Sequence, residues 1–165
     1  MKICIAQTRS IKGEIEKNIE IHKKFINLAI SKRVDIIFFP ELSLTGYEPK
    51  LAKNLVTTQD DPRFDVFQEL STSHSIIIGV GVPTNHDSEI SIGMIIFQPN
   101  QFRQTYSKQI LHSDELRYFV PGKQQVILTI EGKKIAPAIC YESLQLEHVD
   151  GVFEKIGRAS CRERV

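Results

Sequence analysis

Glu41, Lys108 and Cys140 are three side chains of complementary chemistry, and each follows a short apolar or strand-like run. A thiol is a nucleophile, a carboxylate can remove its proton, and an ammonium can stabilise an oxyanion. The three residue types together indicate nucleophilic catalysis at a thiol, provided that the fold brings them to one place.

Each of these residues taken alone also has an ordinary structural interpretation. Cys140 could belong to the core, because free cysteine is among the most buried residue types. Glu41, which follows Pro40, could be a carboxylate at the start of a helix, and Lys108 could be a solvated lysine at a strand end. The catalytic hypothesis therefore depends on the three occurring together.

The apolar pattern predicts a sheet with helices on one or both faces, an α/β fold. Several predicted strands are continuously apolar, which is typical of strands covered on both faces. The predicted helices are 14–32 and 62–72, and the predicted strands are 2–7, 36–39, 76–82, 90–97 and 103–108, with a hairpin of 126–130 and 134–139 around Glu131-Gly132-Lys133. Active sites in such folds lie beyond the carboxyl ends of strands, where Glu41, Lys108 and Cys140 are all predicted.

Composition restricts the class of protein. With 165 residues, 41% of them hydrophobic and 25% charged, the chain predicts one soluble globular domain. The net charge of +1 gives no basis for binding nucleic acid or a membrane surface. An odd count of three cysteines argues against a disulfide framework. The chain has no apolar run long enough to span a membrane, and a cytoplasmic location is predicted. The five histidines lack metal-ligand spacing, so no metal or other cofactor is predicted.

The last nine residues, 157–165, differ in character from the rest. They show neither helical nor strand periodicity, and three arginines crowd into eight residues after a lysine-rich chain. The segment is interpreted as a non-native tail, with a disordered polar terminus as the alternative. Without it, the cysteines are Cys4 and Cys140, and Cys4 is predicted to lie in the core.

Three ordered segments resemble the nitrilase, or carbon–nitrogen hydrolase, superfamily. They are FFPELSLTGYEP at 38–49, YSKQILHSDELRYFVPG at 106–122 and AICYES at 138–143. The opening KICIAQ and the helix after it also fit, so the resemblance extends from Met1 to about Phe153. It implies an α-β-β-α sandwich, here partial because family domains continue well past the cysteine. The domain is accordingly predicted as an incomplete carbon–nitrogen hydrolase domain over 1–156.

The resemblance also implies the roles of the site residues. It makes Glu41 the base, Lys108 the oxyanion stabiliser and Cys140 the nucleophile, and it adds Glu115, which would hold Lys108 or the leaving group. The backbone N–H of Tyr141 is the second candidate oxyanion donor. Glu115 could instead be a surface charge paired with a neighbouring arginine.

Three further aromatic residues are candidates for the pocket lining: Tyr47, Tyr118 and Phe119. Aromatic side chains beside loops are more often packing residues, and that alternative is kept for all three.

The resemblance implies a cofactor-free hydrolase of non-peptide carbon–nitrogen bonds acting through a Cys thioester. A small-molecule amide or carbamoyl substrate is favoured over a nitrile, and a homo-oligomer is predicted for the full-length protein. Acyl transfer to an amine by the same site, and a non-catalytic truncated fragment, are the alternatives.

Overall fold

The computed structural model describes residues 1–86 and 88–156, so the suspected tail 157–165 lies outside the described residues. The strands are β1 (Ile3–Ile5), β2 (Ile36–Phe38), β3 (Ile77–His86), β4 (Glu89–Phe97), β5 (Gln104–Ser107), β6 (Leu128–Ile130) and β7 (Lys133–Ile135). The α-helices are α1 (Ile15–Ser31), α2 (Ala52–Leu55), α3 (Asp65–His74) and α4 (Leu146–Ile156). Short 3₁₀ helices cover Pro49–Leu51, Pro62–Phe64, Glu115–Arg117 and Cys140–Leu144.

The larger sheet has five strands in the order β1-β2-β3-β4-β5. Strands β1, β2 and β3 are parallel, whereas β4 is antiparallel to both β3 and β5. It follows that β2 and β5 run in the same direction and end at the same edge of the sheet.

Both faces of this sheet are buried, as the continuous apolar runs predict. Ile37 faces the side covered by α1 and α3, whereas its neighbours Ile36 and Phe38 pack on the opposite side. Leu128 and Ile135 of the smaller β6-β7 sheet join that second cluster. The layers are therefore helices, large sheet and small sheet, in agreement with the predicted α/β class.

Helix α1 follows its apolar period closely. Its buried residues repeat every three or four positions, as one face of a helix requires: Ile15, Asn18, Ile19, His22, Ile26 and Ala29. Helix α3 is preceded by a 3₁₀ turn that begins at Pro62, and the Asp61 side chain accepts a hydrogen bond from the N–H of Arg63. Capping by an aspartate followed by proline is a common helix start.

The β6-β7 hairpin is confirmed, but its second strand is shorter than predicted. Glu131 and Gly132 both have positive φ, at 49° and 74°, which is the conformation of a two-residue type I′ turn. Strand β7 ends at Ile135, because Pro137 has no N–H to continue the ladder. The prediction that Cys140 lies at the end of a strand is therefore wrong.

Two other elements differ from the sequence prediction. Strand β3 extends to His86, beyond its predicted end at Val82. Helix α4 forms where the sequence analysis assigns no element. No helix in the described part of the chain is long and apolar enough to cross a membrane.

Candidate active site

The site begins where β2 and β5 end. Lys108 directly follows β5, and its backbone N–H donates to the carbonyl of Ile92 on β4 at 2.9 Å. Glu41 follows β2 after two intervening residues. Because both strands end at one edge of the sheet, the two side chains meet although 67 residues separate them.

Lys108 is fully buried between two carboxylates. Its Nζ donates to Glu41 Oε1 at 2.7 Å and to Glu115 Oε1 and Oε2 at 2.8 and 2.9 Å. These contacts use all three N–H donors of the ammonium. The side chains of Glu41 and Glu115 are only 10% and 3% exposed, so the cluster is almost removed from solvent.

Burial and charge act against each other in this cluster. Burial raises the pKa of Glu41, and the nearby Lys108 charge offsets part of that rise. Burial pulls the pKa of Lys108 down, but the charges and hydrogen bonds of Glu41 and Glu115 outweigh it and leave that pKa above its ordinary value. The cluster thus combines a stable cation with a carboxyl group that is a stronger base than an exposed glutamate.

Glu115 is fixed by donors on both of its oxygens. The N–H of His112 donates to Oε2 at 2.7 Å, and the Tyr47 hydroxyl donates to Oε1 at 3.2 Å. The residue is buried, so its interpretation as a surface charge paired with Arg117 is wrong.

Cys140 is presented by a strained turn rather than by a strand. It opens a 3₁₀ helix with φ at 48°, a left-handed conformation that is rare for residues other than glycine. The Ser143 hydroxyl donates to the carbonyl of Cys140 at 2.8 Å, which holds the turn. Such strain persists where the surroundings determine the conformation, and it is common at active sites.

The thiol of Cys140 interacts with Glu41 and is kept protonated by its surroundings. Burial raises the pKa of this thiol, the Glu41 charge raises it further, and Lys108 opposes the rise. The thiol is therefore not a preformed thiolate at neutral pH, and it would need a base in order to act as a nucleophile. Glu41 is in place for that task.

A cavity of about 460 Å³ opens over the thiol. Its lining consists of Glu41, Tyr47, His112, Asp114, Glu115, Cys140, Tyr141, Ser143 and Leu144. Tyr47, a candidate for the lining, lies in this wall, and so does Tyr141, whose backbone N–H is the candidate oxyanion donor. Tyr118 and Phe119 do not line this cavity, because Phe119 is buried in the core under the sheet and Tyr118 faces a groove beside Pro49.

Besides Ser143, sequence reasoning missed two polar residues of the cavity wall, His112 and Asp114. The imidazole Nδ1 of His112 lies 2.5 Å from Asp114 Oδ1, and its ring meets the Tyr141 ring edge-on at 5.2 Å. Both residues belong to the HSDEL segment, and their position beside Glu115 in the sequence could have identified them as candidate site residues.

A buried network under the Glu41 loop was also missed. The His22 ring is 4.0 Å from the Phe39 ring, with Nδ1 2.7 Å from the Asn18 carbonyl and Nε2 2.9 Å from Ser43 Oγ. Burial lowers the pKa of His22 to about 4, so the ring is neutral, with its proton on the nitrogen that faces the carbonyl. Helix α1 therefore supports the loop that carries Glu41.

The same loop lies directly against β3. Leu44 N–H donates to the Gly81 carbonyl at 2.9 Å, and Gly81 N–H donates to Ser43 Oγ at 3.2 Å. A Cβ at Gly81 would lie 2.3 Å from the Pro40 carbonyl oxygen, so only glycine permits this approach.

Among the described residues, no group of three or more histidine, cysteine or acidic side chains could hold a metal ion.

Comparisons with known proteins agree with this geometry. The profile of the family described as carbon-nitrogen hydrolase matches residues 2–149. A glutamine-dependent NAD(+) synthetase of Aquifex aeolicus is 27% identical over 158 residues, which are 92% of this chain. The chain spans only 27% of that relative's length.

Solved structures show the same fold at low sequence identity. An amidase of Nesterenkonia sp. AN1, carrying the acetamide moiety of fluoroacetamide on its active site cysteine, superposes with a TM-score of 0.83 at 17% identity. The match covers 97% of this chain and 63% of that one. A glutamine-dependent NAD+ synthetase of Acinetobacter baumannii superposes with a TM-score of 0.77 at 22% identity, over 93% of this chain and 30% of its own. From the profile match and the fold together, the chain belongs to the carbon–nitrogen hydrolase family.

Proposed function

We propose that this site hydrolyses the carbon–nitrogen bond of a small-molecule amide or carbamoyl compound through a thioester on Cys140. The observation that carries the proposal is that Cys140 and Glu41 line one cavity, while Lys108 donates to the Glu41 carboxylate at 2.7 Å. A nucleophile and its base thereby line one cavity, and a buried cation is bonded to the base.

The first half-reaction begins with proton transfer. Glu41 takes the thiol proton as Cys140 Sγ attacks the amide carbon, and the carbonyl π electrons move onto oxygen. The raised pKa of Glu41 suits this transfer, because a stronger carboxylate base accepts a thiol proton more readily. The tetrahedral intermediate collapses when protonated Glu41 returns the proton to the leaving nitrogen, which departs as ammonia or an amine.

Lys108 and the backbone N–H of Tyr141 are the proposed oxyanion donors. All three N–H groups of Lys108 are engaged with the two glutamates before reaction. Once Glu41 is protonated it holds Lys108 less strongly, which releases an N–H for the oxyanion. Charge on the substrate and neutralisation of Glu41 therefore develop together, and Glu115 keeps the ammonium in position.

The second half-reaction returns the enzyme to its starting state. Water loses a proton to Glu41 and attacks the thioester carbonyl, and the intermediate expels Cys140 sulfur, which takes the proton back. The product is a carboxylic acid, or a carbamic acid from a carbamoyl substrate.

An amide is proposed over a nitrile because of the similar proteins. The Nesterenkonia sp. AN1 protein is named an amidase, and the synthetases are named glutamine-dependent. Glutamine and simple aliphatic amides are therefore the first substrates to test.

The decisive experiment measures ammonia released from glutamine, acetamide and propionamide by the purified chain. Cys140→Ala should abolish the release, whereas the matched variant Cys4→Ala should leave it unchanged. Ammonia release that survives in Cys140→Ala would overturn the proposed nucleophile.

Thiol labelling separates the enzyme from the alternative of a non-catalytic fragment. Iodoacetamide followed by peptide mapping should modify Cys140 with a pH dependence distinct from that of Cys4. A labelled but inactive chain would favour the fragment, and a hydroxamate formed in the presence of hydroxylamine would reveal acyl transfer. A homo-oligomer and a cytoplasmic location stay predictions, the first of which size-exclusion chromatography can test.

A further inference from the structure

A second buried carboxylate, that of Glu142, lies beneath the nucleophile outside the Lys108 cluster. Glu142 is fully buried, and its oxygens accept hydrogen bonds from four groups. The donors are the Tyr106 hydroxyl at 2.9 and 3.0 Å, Ile139 N–H at 2.7 Å, Ile110 N–H at 3.2 Å and Gln109 N–H.

These donors belong to the chain segments on either side of the site. Gln109 and Ile110 directly follow Lys108, whereas Ile139 directly precedes Cys140. One carboxylate thus joins the backbone that carries the ammonium to the backbone that carries the thiol.

The same carboxylate also helps to hold the strained backbone at Cys140. The peptide N–H before Cys140 donates to Glu142, and the carbonyl of Cys140 accepts from Ser143. Side chains of the turn therefore bind the N–H of Ile139, one residue before the left-handed residue, and the carbonyl of Cys140 itself. Backbone N–H groups are good partners for a buried anion, because their bonds to a carboxylate are charge-assisted.

We propose that Glu142 is a positioning residue that sets the distance and orientation of the Cys140 thiol relative to Lys108 and Glu41. It rests on the proposed function, since it assumes that Cys140 is the nucleophile. Glu142 does not line the cavity and transfers no proton to substrate. Besides Tyr106, the imidazole of His148 lies near this carboxylate, with Nδ1 3.9 Å from Oε1.

The test compares Glu142→Gln with Glu147→Gln, which makes the same chemical change at an exposed residue of the neighbouring helix. An amide NH₂ cannot accept, so Glu142→Gln must lose at least one of the backbone bonds. We expect its kcat for amide hydrolysis to fall at least tenfold with KM changed less than about threefold. The pH midpoint of Cys140 labelling should move down toward that of an ordinary thiol, about 8.5. Glu147→Gln should match the parent in all three.

The pH midpoint of labelling separates positioning from a purely structural role. A variant that is only less stable loses active molecules, but its folded fraction keeps the parent midpoint. A lower thermal midpoint with an unchanged labelling midpoint would therefore overturn the proposal. Failure of the proposed function looks different, because Cys140 of the parent would then label like Cys4 and release no ammonia.

Tyr106→Phe decides the case if Glu142→Gln does not fold. This variant keeps the ring and the carboxylate but removes one donor to it. It should shift the labelling midpoint in the same direction by a smaller amount and lower kcat a few-fold. An unchanged midpoint and kcat in Tyr106→Phe, with Glu142→Gln unfolded, would count against positioning.

Discussion

Replacing Lys108 by methionine should destabilise the protein in a way that depends on pH. The substitution keeps the length of the side chain but leaves Glu41 and Glu115 as two buried carboxylates without a cation. Breaking a buried ion pair by removing one partner costs about 3–5 kcal/mol. Lys108 has no exposed surface and the two carboxylates have almost none, so solvent screening gives little relief.

The deficit should shrink in acid. Without Lys108, the two carboxylates cannot both stay ionised, so the folded state holds a proton that the unfolded chain releases above about pH 4.5. A carboxyl whose pKa is higher in the folded state contributes stability at low pH and loses it as pH rises. Lys108→Met should therefore lie closer to the parent at pH 5.5 than at pH 8.

Urea unfolding at pH 5.5 and pH 8 measures both effects, and in thermal unfolding the loss corresponds to roughly 6–20 °C. Lys134→Met is the matched control, because Lys134 is exposed and its loss should change stability by less than about 0.5 kcal/mol. A deficit below about 1 kcal/mol at pH 8, or one that is equal at the two pH values, would refute the description of the cluster as a buried ion triad.

Three further predictions concern the base and its support. Glu41→Gln should lower the rate of amide hydrolysis by roughly 10²–10⁴-fold, since the proposed base acts in both half-reactions. Near-normal ammonia release from this variant would reject Glu41 as the base. Gly81→Ala should force the Pro40 carbonyl aside and reduce turnover together with thermal stability; a crystal structure with the loop unmoved would contradict this. The pKa of His22 is about 4 in the folded protein and about 6.5 in the unfolded chain, so acid protonates the unfolded chain first. About 3 kcal/mol of stability should therefore be lost as pH falls from 6.5 to 4. Urea unfolding across that range should show the loss in the exposed control His74→Phe but not in His22→Phe.

The sequence predicts Glu41 and Lys108 at strand ends because β2 is continuously apolar and Lys108 closes a clear strand. The prediction of a strand end fails at Cys140. Strand β7 ends early because of Pro137, and Cys140 lies in a turn with a left-handed backbone conformation. The contacts of Glu142 could not be read from the sequence, since all of its hydrogen-bond partners except Ile139 lie more than 30 residues away.

The strand order has a consequence for folding. The Lys108–Glu41 and Tyr47–Glu115 contacts close loops of 67 and 68 residues, and they require β2, β3, β4 and β5 to be paired in register. Contacts of such high sequence separation are slow to form, because loop-closure entropy must be overcome before they stabilise the chain. Helix α1 and the β6-β7 hairpin are local and can form earlier. In refolding, the altered labelling of Cys140 should therefore arise after the helical circular dichroism signal. A partly folded chain then carries an ordinary thiol, and the perturbed thiol appears only when the sheet has assembled.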